Sequence, residues 1–301
     1  MRNEVIVVGT GGTIASTTNS QGARVPTLTT AELVARCGTG VGVRAVDAAS
    51  LDSSSMTLAD IDALTSLVEQ LLDCAPAITI THGTDSLAET ALALDLVHAS
   101  AKPVVLTGAQ LPADHDRADG PGNLRGAIEA AADPANSSQG VLVHFGGKTL
   151  PARGLYKSST TSLTPFGLTT GEPSPRPAPV PRAPLADVNV PILRAWPGAD
   201  GALVDYVAST GPDGIVVEAL GSGNVSDRMG GALRRAVDAG IPVVVATSVP
   251  DGGVEFAYGG AGGGATLGAA GAIASGALSP GQARIALATA IATGTDPSHF
   301  F

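Results

Sequence analysis

Thr10-Gly11-Gly12-Thr13-Ile14-Ala15 follows directly on the apolar run Val5-Ile6-Val7-Val8. A buried strand that ends in glycines and a hydroxyl exposes backbone N–H groups to a developing oxyanion and lets a substrate approach the main chain, as acyl transfer by a hydroxyl nucleophile requires. The same stretch also reads as a plain strand-to-loop turn whose Thr13 bonds its own backbone. Spacing excludes two other glycine loops. A dinucleotide fingerprint needs Gly or Ala where Ile14 stands, and Gly147-Lys148-Thr149 has Leu142 where a phosphate-binding loop needs its first glycine.

Two further stretches carry usable groups. Thr81-His82-Gly83-Thr84-Asp85-Ser86 ends another apolar run just before a helical pattern. There, Thr84 or Asp85 could cap the helix with help from Glu89, or could present a hydroxyl and a carboxylate at the carboxyl edge where the first loop also ends. Gly154-Leu155-Tyr156-Lys157-Ser158-Ser159-Thr160-Thr161 sets one lysine among hydroxyls with no opposing charge in the sequence around it. Most such lysines are solvated, whereas a buried amine beside hydroxyls could take a proton from Thr or water.

The elements that must position these groups alternate. Strand-like runs at 77–81, 103–107 and 140–145 are separated by helical periodicity. Residues 58–72 place Ile61, Leu64, Val68, Leu71 and Leu72 on one helical face, and 87–97 place Leu87, Ala91, Leu94 and Leu96 or Val97 likewise, so both predict amphipathic crossover helices. A right-handed connection is expected for each strand pair, which gathers the loops at one sheet edge. Residues 171–191 are Pro-rich and predict a linker; strands at 190–193, 214–218 and 242–247 and helices at 227–239 and 280–293 follow. The expected fold class is α/β: a larger N-terminal doubly wound domain (1–180), a linker (181–190) and a smaller C-terminal α/β domain (191–301).

Composition agrees with this frame. A chain of 301 residues that is 44% apolar, 15% charged and 3% aromatic fits two packed α/β layers filled by aliphatic side chains. A formal charge of -10 argues against nucleic acid as a partner. Met1 to Val5 run into the first strand without a signal-peptide pattern, and no stretch reads as a membrane span, so a cytoplasmic protein without membrane association is expected. Cys37 and Cys74 lack metal-ligand spacing and are expected to be buried thiols. Asp114-His115-Asp116 is expected to be a solvated loop, His98, His144 and His299 are isolated, and Arg234-Arg235 suits a helix C-terminus.

With these segments in hand, the chain resembles the bacterial L-asparaginase family, in the group that includes the asparaginase-glutaminases. Thr10 to Ala15 is similar to its first signature, and His82-Gly83-Thr84-Asp85-Ser86 to its second, with Ser86 in place of the usual Thr. The likeness runs on through Asp52-Ser53-Ser54-Ser55-Met56-Thr57, Thr107-Gly108-Ala109-Gln110, Ala118-Asp119-Gly120-Pro121, Lys157 and Gly221-Ser222-Gly223-Asn224. The resemblance implies catalytic roles for Thr13 (nucleophile), Thr84, Asp85 and Lys157. It implies substrate contacts from Ser53, Ser54, Thr84, Asp85, the Ala109 backbone, and Asn224 of an adjoining subunit in a homodimer or homotetramer with sites at subunit interfaces. The implied reaction is hydrolysis of the asparagine side-chain amide through an acyl-enzyme, with no metal or organic cofactor. The alternatives are a glutaminase-asparaginase of broader amide specificity, or a catalytically weak homologue that binds amino acids. Three departures stand out. No Tyr occurs at 16–30, where the family commonly has an activating one and Ala23 or Arg24 stands here, so a weaker or differently activated Thr13 is expected unless Tyr156 or Tyr258 reaches the site. Residues 259–264 are nearly all glycine where the periplasmic type offers an acidic residue, with Glu255 the nearest carboxylate, and Ser54 stands where that type has Gln.

Overall fold

A computed structural model describes residues 4–301. The chain forms two compact units, Met1–Ala152 with Lys157–Gly167, and Arg153–Tyr156 with Leu168–Phe301. It therefore leaves the first unit after Ala152, returns at Lys157 and leaves again after Gly167.

In the first unit, β1 (Val5–Gly11) is followed by a hairpin of β2 (Ser16–Thr18) and β3 (Arg24–Pro26), then α1 (Thr30–Cys37), β4 (Val43–Leu51), α2 (Leu58–Cys74), β5 (Ile78–Thr81), α3 (Leu87–Val97), β6 (Val104–Thr107), α4 (Gly120–Ala132), β7 (Val141–Phe145) and β8 (Lys148–Pro151). The six-stranded sheet has the order β4-β1-β5-β6-β7-β8, parallel except for β8. Central strands β1, β5 and β6 are buried at every position, as continuous Val/Ile runs covered on both faces should be. Capping boxes at Thr29/Glu32 and Thr57/Asp60 start α1 and α2.

Helix α3 is not amphipathic. Ala88, Thr90, Leu92 and Ala93 are buried along with Leu87, Ala91, Leu94 and Leu96, so apolar side chains surround it and its 87–97 periodicity marks no solvent face.

The crossovers do not all share one hand. Side chains of Val5, Val7, Val105 and Leu142 pack with α1 and α4, while α2 and α3 meet Val104 and Val141, which point to the opposite face of the sheet. The steps β4 to β5 and β5 to β6 go one way along the sheet with α2 and α3 on one face, and β1 to β4 goes the other way with α1 on the other face. These three share a hand. The step β6 to β7 goes the same way as β5 to β6 but carries α4 on the face of α1, so its hand is opposite. With right-handed connections the rule in about 98% of cases, β6-α4-β7 is the left-handed one, against the expectation of right-handed connections throughout. Its leading loop, residues 108–119, is long enough to cross the carboxyl rim of the sheet.

Strands β9 (Leu155–Lys157) and β10 (Phe166–Leu168) pair with each other in a two-stranded sheet. No helix or strand occurs between Leu168 and Ile192, matching the Pro-rich composition. The second unit contains β11 (Ile192–Arg194), α5 (Ala202–Ser209), β12 (Ile215–Ala219), α6 (Asp227–Asp238), β13 (Val243–Thr247), α7 (Gly264–Ala269), β14 (Ile273–Ala274) and α8 (Pro280–Thr293). Its sheet, β11-β12-β13-β14, is parallel throughout. Among the described residues no helix is long and apolar enough to cross a membrane.

Candidate active site

Glycine brings the first two turns together. Gly12, the residue after β1, has φ 79° and ψ -177°, a conformation that residues with a Cβ rarely adopt, and a methyl group built on it would lie 2.5 Å from both Cα and N of Gly83. The residue before Thr13 and the residue before Thr84 are thus in backbone contact, although 71 positions separate them in sequence (83 − 12). A methyl on Gly83 would in turn fall on Ser53, 2.7 Å from its Cβ. Hydrogen bonds fix the stack: the Thr10 hydroxyl donates to Thr81 O at 2.9 Å, the Ser16 hydroxyl to Gly12 O at 2.9 Å, and Gly12 N to Leu51 O at 3.1 Å. Thr13 opens a short 3-10 turn (Thr13–Ala15) and is half-buried.

Thr84 is buried, and β9 delivers Lys157 to it. Lys157 Nζ donates to Thr84 Oγ1 at 2.8 Å and to Asp85 Oδ1 at 2.9 Å. The opposing charge that the sequence around Lys157 lacks is therefore supplied by Asp85, and the lysine side chain is only 23% exposed. Neither Thr84 nor Asp85 caps α3. Ser86 holds the N-cap position without a side-chain capping bond, and its hydroxyl donates to Ser53 O at 2.7 Å. Ser53 is buried and its Oγ accepts from Asp85 N at 3.2 Å, so the serine turn after β4 braces the Thr84-Asp85 turn from below. Ser54 is exposed, its N–H donating to Asp52 Oδ1.

His82 sits buried between these turns, with Nδ1 2.7 Å from Gly83 O and Nε2 3.1 Å from Met56 Sδ. Desolvation pushes its pKa below the usual histidine value, against a smaller opposing effect of the Gly83 bond. The imidazole is neutral, with the Nδ1 proton assigned to the Gly83 carbonyl by the acceptor it faces.

Side chains to which the sequence reading gave no role organise the loop that carries Ala109. The Asp119 carboxylate accepts from Gln110 N, Leu111 N and Asn123 Nδ2, Asn123 Nδ2 also donates to Gly108 O, and Gln110 Nε2 donates to Ser159 O and Ser162 O beyond Lys157. Ala109 itself is buried. The sequence signal available for Asp119 was the Ala118-Asp119-Gly120-Pro121 stretch, which carried the family likeness without assigning Asp119 a role.

Other candidates fall elsewhere. Asn224 belongs to the second unit, on the loop after β12, where its Oδ1 accepts from Gly264 N at 3.3 Å. The Tyr156 hydroxyl donates to Asp251 Oδ1 at 2.8 Å, and burial followed by that carboxylate raises its pKa. Tyr258 and Glu255 are exposed. Cys37 is buried, but Cys74 is exposed because α2 ends there and turns its last residue outward, so the expectation of two buried thiols holds for only one. Asp114 is exposed and accepts from Thr18 N at 2.8 Å, tying down the β2-β3 hairpin. Among the described residues no group of three or more His, Cys, Asp or Glu side chains could hold a metal ion.

Comparison with known proteins follows the same lines. Residues 4–174 match the family model described as Asparaginase, N-terminal, and residues 189–300 match the one described as Glutaminase/Asparaginase C-terminal domain. The chain is 37% identical to a probable L-asparaginase of Deinococcus radiodurans, over 93% of this chain and 90% of that protein. It is 31% identical to L-asparaginase 2 of Escherichia coli, over 75% and 69% of the two chains. The crystal structure of a probable cytoplasmic L-asparaginase from Campylobacter jejuni superposes with a TM-score of 0.84 at 25% identity, covering 99% of this chain and 98% of that one. The two family matches together span most of the chain, in the order of its two compact units, and the chain is a member of the asparaginase family.

Proposed function

We propose that the protein hydrolyses the side-chain amide of L-asparagine to L-aspartate and ammonia, with no metal or organic cofactor. Thr13 Oγ1 attacks the amide carbon, and collapse of the tetrahedral intermediate breaks the C–N bond, so that ammonia leaves with a proton and a β-aspartyl ester remains on Thr13. Water then adds to that ester, and aspartate departs as the hydroxyl is restored. Thr84, Lys157 and Asp85 form the proton relay. An amine held between a hydroxyl and a carboxylate can pass a proton to the leaving nitrogen and take one from water. Ser53, Ser54 and Asp85 bind the α-amino and α-carboxylate groups, the Ala109 backbone carbonyl accepts from the substrate amide, and Asn224 of a neighbouring subunit closes the site in a homodimer or homotetramer. A cytoplasmic location goes with this reading, as for the Campylobacter jejuni protein described in those terms.

The observation that carries the reading is the backbone contact of Gly12 with Gly83, with Lys157 bonded to Thr84 beside it. The test is ammonia release from asparagine and from glutamine by the wild type and Thr13→Ala. Turnover of asparagine by the wild type that Thr13→Ala abolishes is expected. Equal rates on both amides would replace asparaginase by a broader glutaminase-asparaginase, the name borne by an Acinetobacter glutaminasificans relative 34% identical over 52% of this chain. Asparagine binding without ammonia release would make the chain a binding protein.

A further inference from the structure

Asp119 is placed to cap α4 but makes no side-chain capping bond. An N-cap Asp normally stabilises its helix through such a bond, and here that bond is forgone. The carboxylate turns back onto the preceding loop instead, accepting Gln110 N at 3.0 Å and Leu111 N at 2.9 Å. Asn123, a poor helix former buried inside α4, also serves the loop. Its Nδ2 donates to Gly108 O at 3.0 Å and to Asp119 Oδ2 at 3.1 Å, while its Oδ1 accepts from Gly146 N at 3.0 Å. Both side chains override local helix preference in favour of one short stretch, 108–111. Such departures collect where geometry matters for function.

The stretch they hold is the backbone on both sides of Ala109. The Gly108 carbonyl belongs to the peptide plane before Ala109, and the Gln110 N–H to the plane after it. Both of these peptide bonds are trans, as are all others among the described residues, so in each plane the C=O and N–H point in opposite directions. An N–H of Gln110 fixed on Asp119 therefore directs the Ala109 carbonyl away from Asp119, and the bond polarises that carbonyl into a stronger acceptor. Gln110 Nε2 ties the same stretch to Ser162 O at 2.9 Å, on the segment that begins with Lys157.

We infer that Asp119 and Asn123 are positioning residues that lock the two peptide planes flanking Ala109 and so aim its carbonyl at the leaving amide nitrogen of the substrate. This inference rests on the asparaginase reading above, in which the Ala109 carbonyl accepts from the substrate amide. An amide N–H gains positive charge as it becomes ammonia, so an acceptor aimed at it strengthens in the transition state and acts on kcat as well as KM.

The test compares two substrates and two isosteric variants. Asp119→Asn replaces one acceptor oxygen with a donor facing backbone N–H groups, and Asn123→Asp sets a carboxylate against the Gly108 carbonyl. Each is assayed on asparagine and on the β-methyl ester of aspartate, whose leaving group has no N–H to offer. The inference requires kcat/KM on the amide to fall at least about tenfold further than on the ester. Equal losses on both substrates, or none, would overturn it. The variants stand in for each other if one fails to fold, and loss of folding in both would place the network in the fold alone and likewise overturn the inference. Absence of wild-type turnover on asparagine is measured first, and would be failure of the asparaginase reading, taking this inference with it.

Discussion

Lys157 Nζ lies 2.8 Å from Thr84 Oγ1, and its second bond, to Asp85, leaves that carboxylate 58% exposed. An ion pair with one partner so open is worth about 0–1 kcal/mol to stability, so the geometry is not explained by what it adds to the fold. Chemistry explains it better. Lys157→Met is expected to lower kcat by about 10²–10⁴-fold while moving the unfolding midpoint little. Steady-state assays paired with urea unfolding check this, and a variant that unfolds readily yet turns over normally would reverse the assignment.

Gly12 makes the parallel case for the two turns. Alanine there meets both a φ of 79° and the Gly83 backbone, whereas Gly38, at the end of α1, has φ 66° with no atom near its missing Cβ. Gly38→Ala is expected to cost about 1–2 kcal/mol of stability with full activity. Gly12→Ala is expected to lose a similar amount or more and at least about 10²-fold in kcat/KM, since a small misplacement of the Thr13 turn against Thr84 is enough. Equal activity in the two variants would show that contact with Gly83 is not what sets the site.

Much of this arrangement was legible in the sequence, for identifiable reasons. Val5-Ile6-Val7-Val8 and the run ending at Thr81 announce buried parallel strands by continuous apolarity, and both end in Gly-Thr turns. Strand β4 carries no such run; at the sheet edge its residues are half-buried or exposed, so VRAVDAASL gives no clear period. Helix α4 opens with Gly-Pro-Gly-Asn, which reads as loop. The left-handed step through α4 is invisible locally, because hand depends on which face a helix covers. That same step explains why the role of Asp119, and Asn123 altogether, escaped notice: their partners lie back along a loop whose path the sequence does not specify.

Buried His82 makes stability depend on pH. Its folded pKa lies below the unfolded value of about 6.5, so the unfolded chain binds the proton more readily. Stability is then complete above about pH 6.5 and falls as pH drops from there through the folded pKa. Half-buried His144, also shifted down by desolvation, adds to the same slope, whereas Asp47 and Asp60, lowered by bonds from Thr30 and Thr57, matter only below about pH 4. Urea midpoints measured from pH 7.5 to 5 should decline for the wild type and decline less for His82→Asn. An unchanged slope in the variant would mean that His82 does not titrate differently in the two states.

Helix α3 separates packing from chemistry. Leu92 is fully buried although it lies off the predicted Leu87-Ala91-Leu94 face of α3, and Leu92→Ala is expected to cost about 2–5 kcal/mol. Leu203, 46% exposed on α5, should cost under about 0.5 kcal/mol when replaced by Ala. Asp85 lies outside α3, seven residues before Leu92 and more than a helical turn from it, and its N–H is held independently by Ser53 Oγ. At that separation effects on packing and on the site are expected to be independent, so kcat of folded Leu92→Ala at 25 °C should stay within about twofold of wild type. Differential unfolding of the two alanine variants, read beside their turnover, checks both halves. A small stability loss at Leu92 would restore the amphipathic reading of α3, and a large loss of kcat would show that the Thr84-Asp85 turn depends on the helix core behind it.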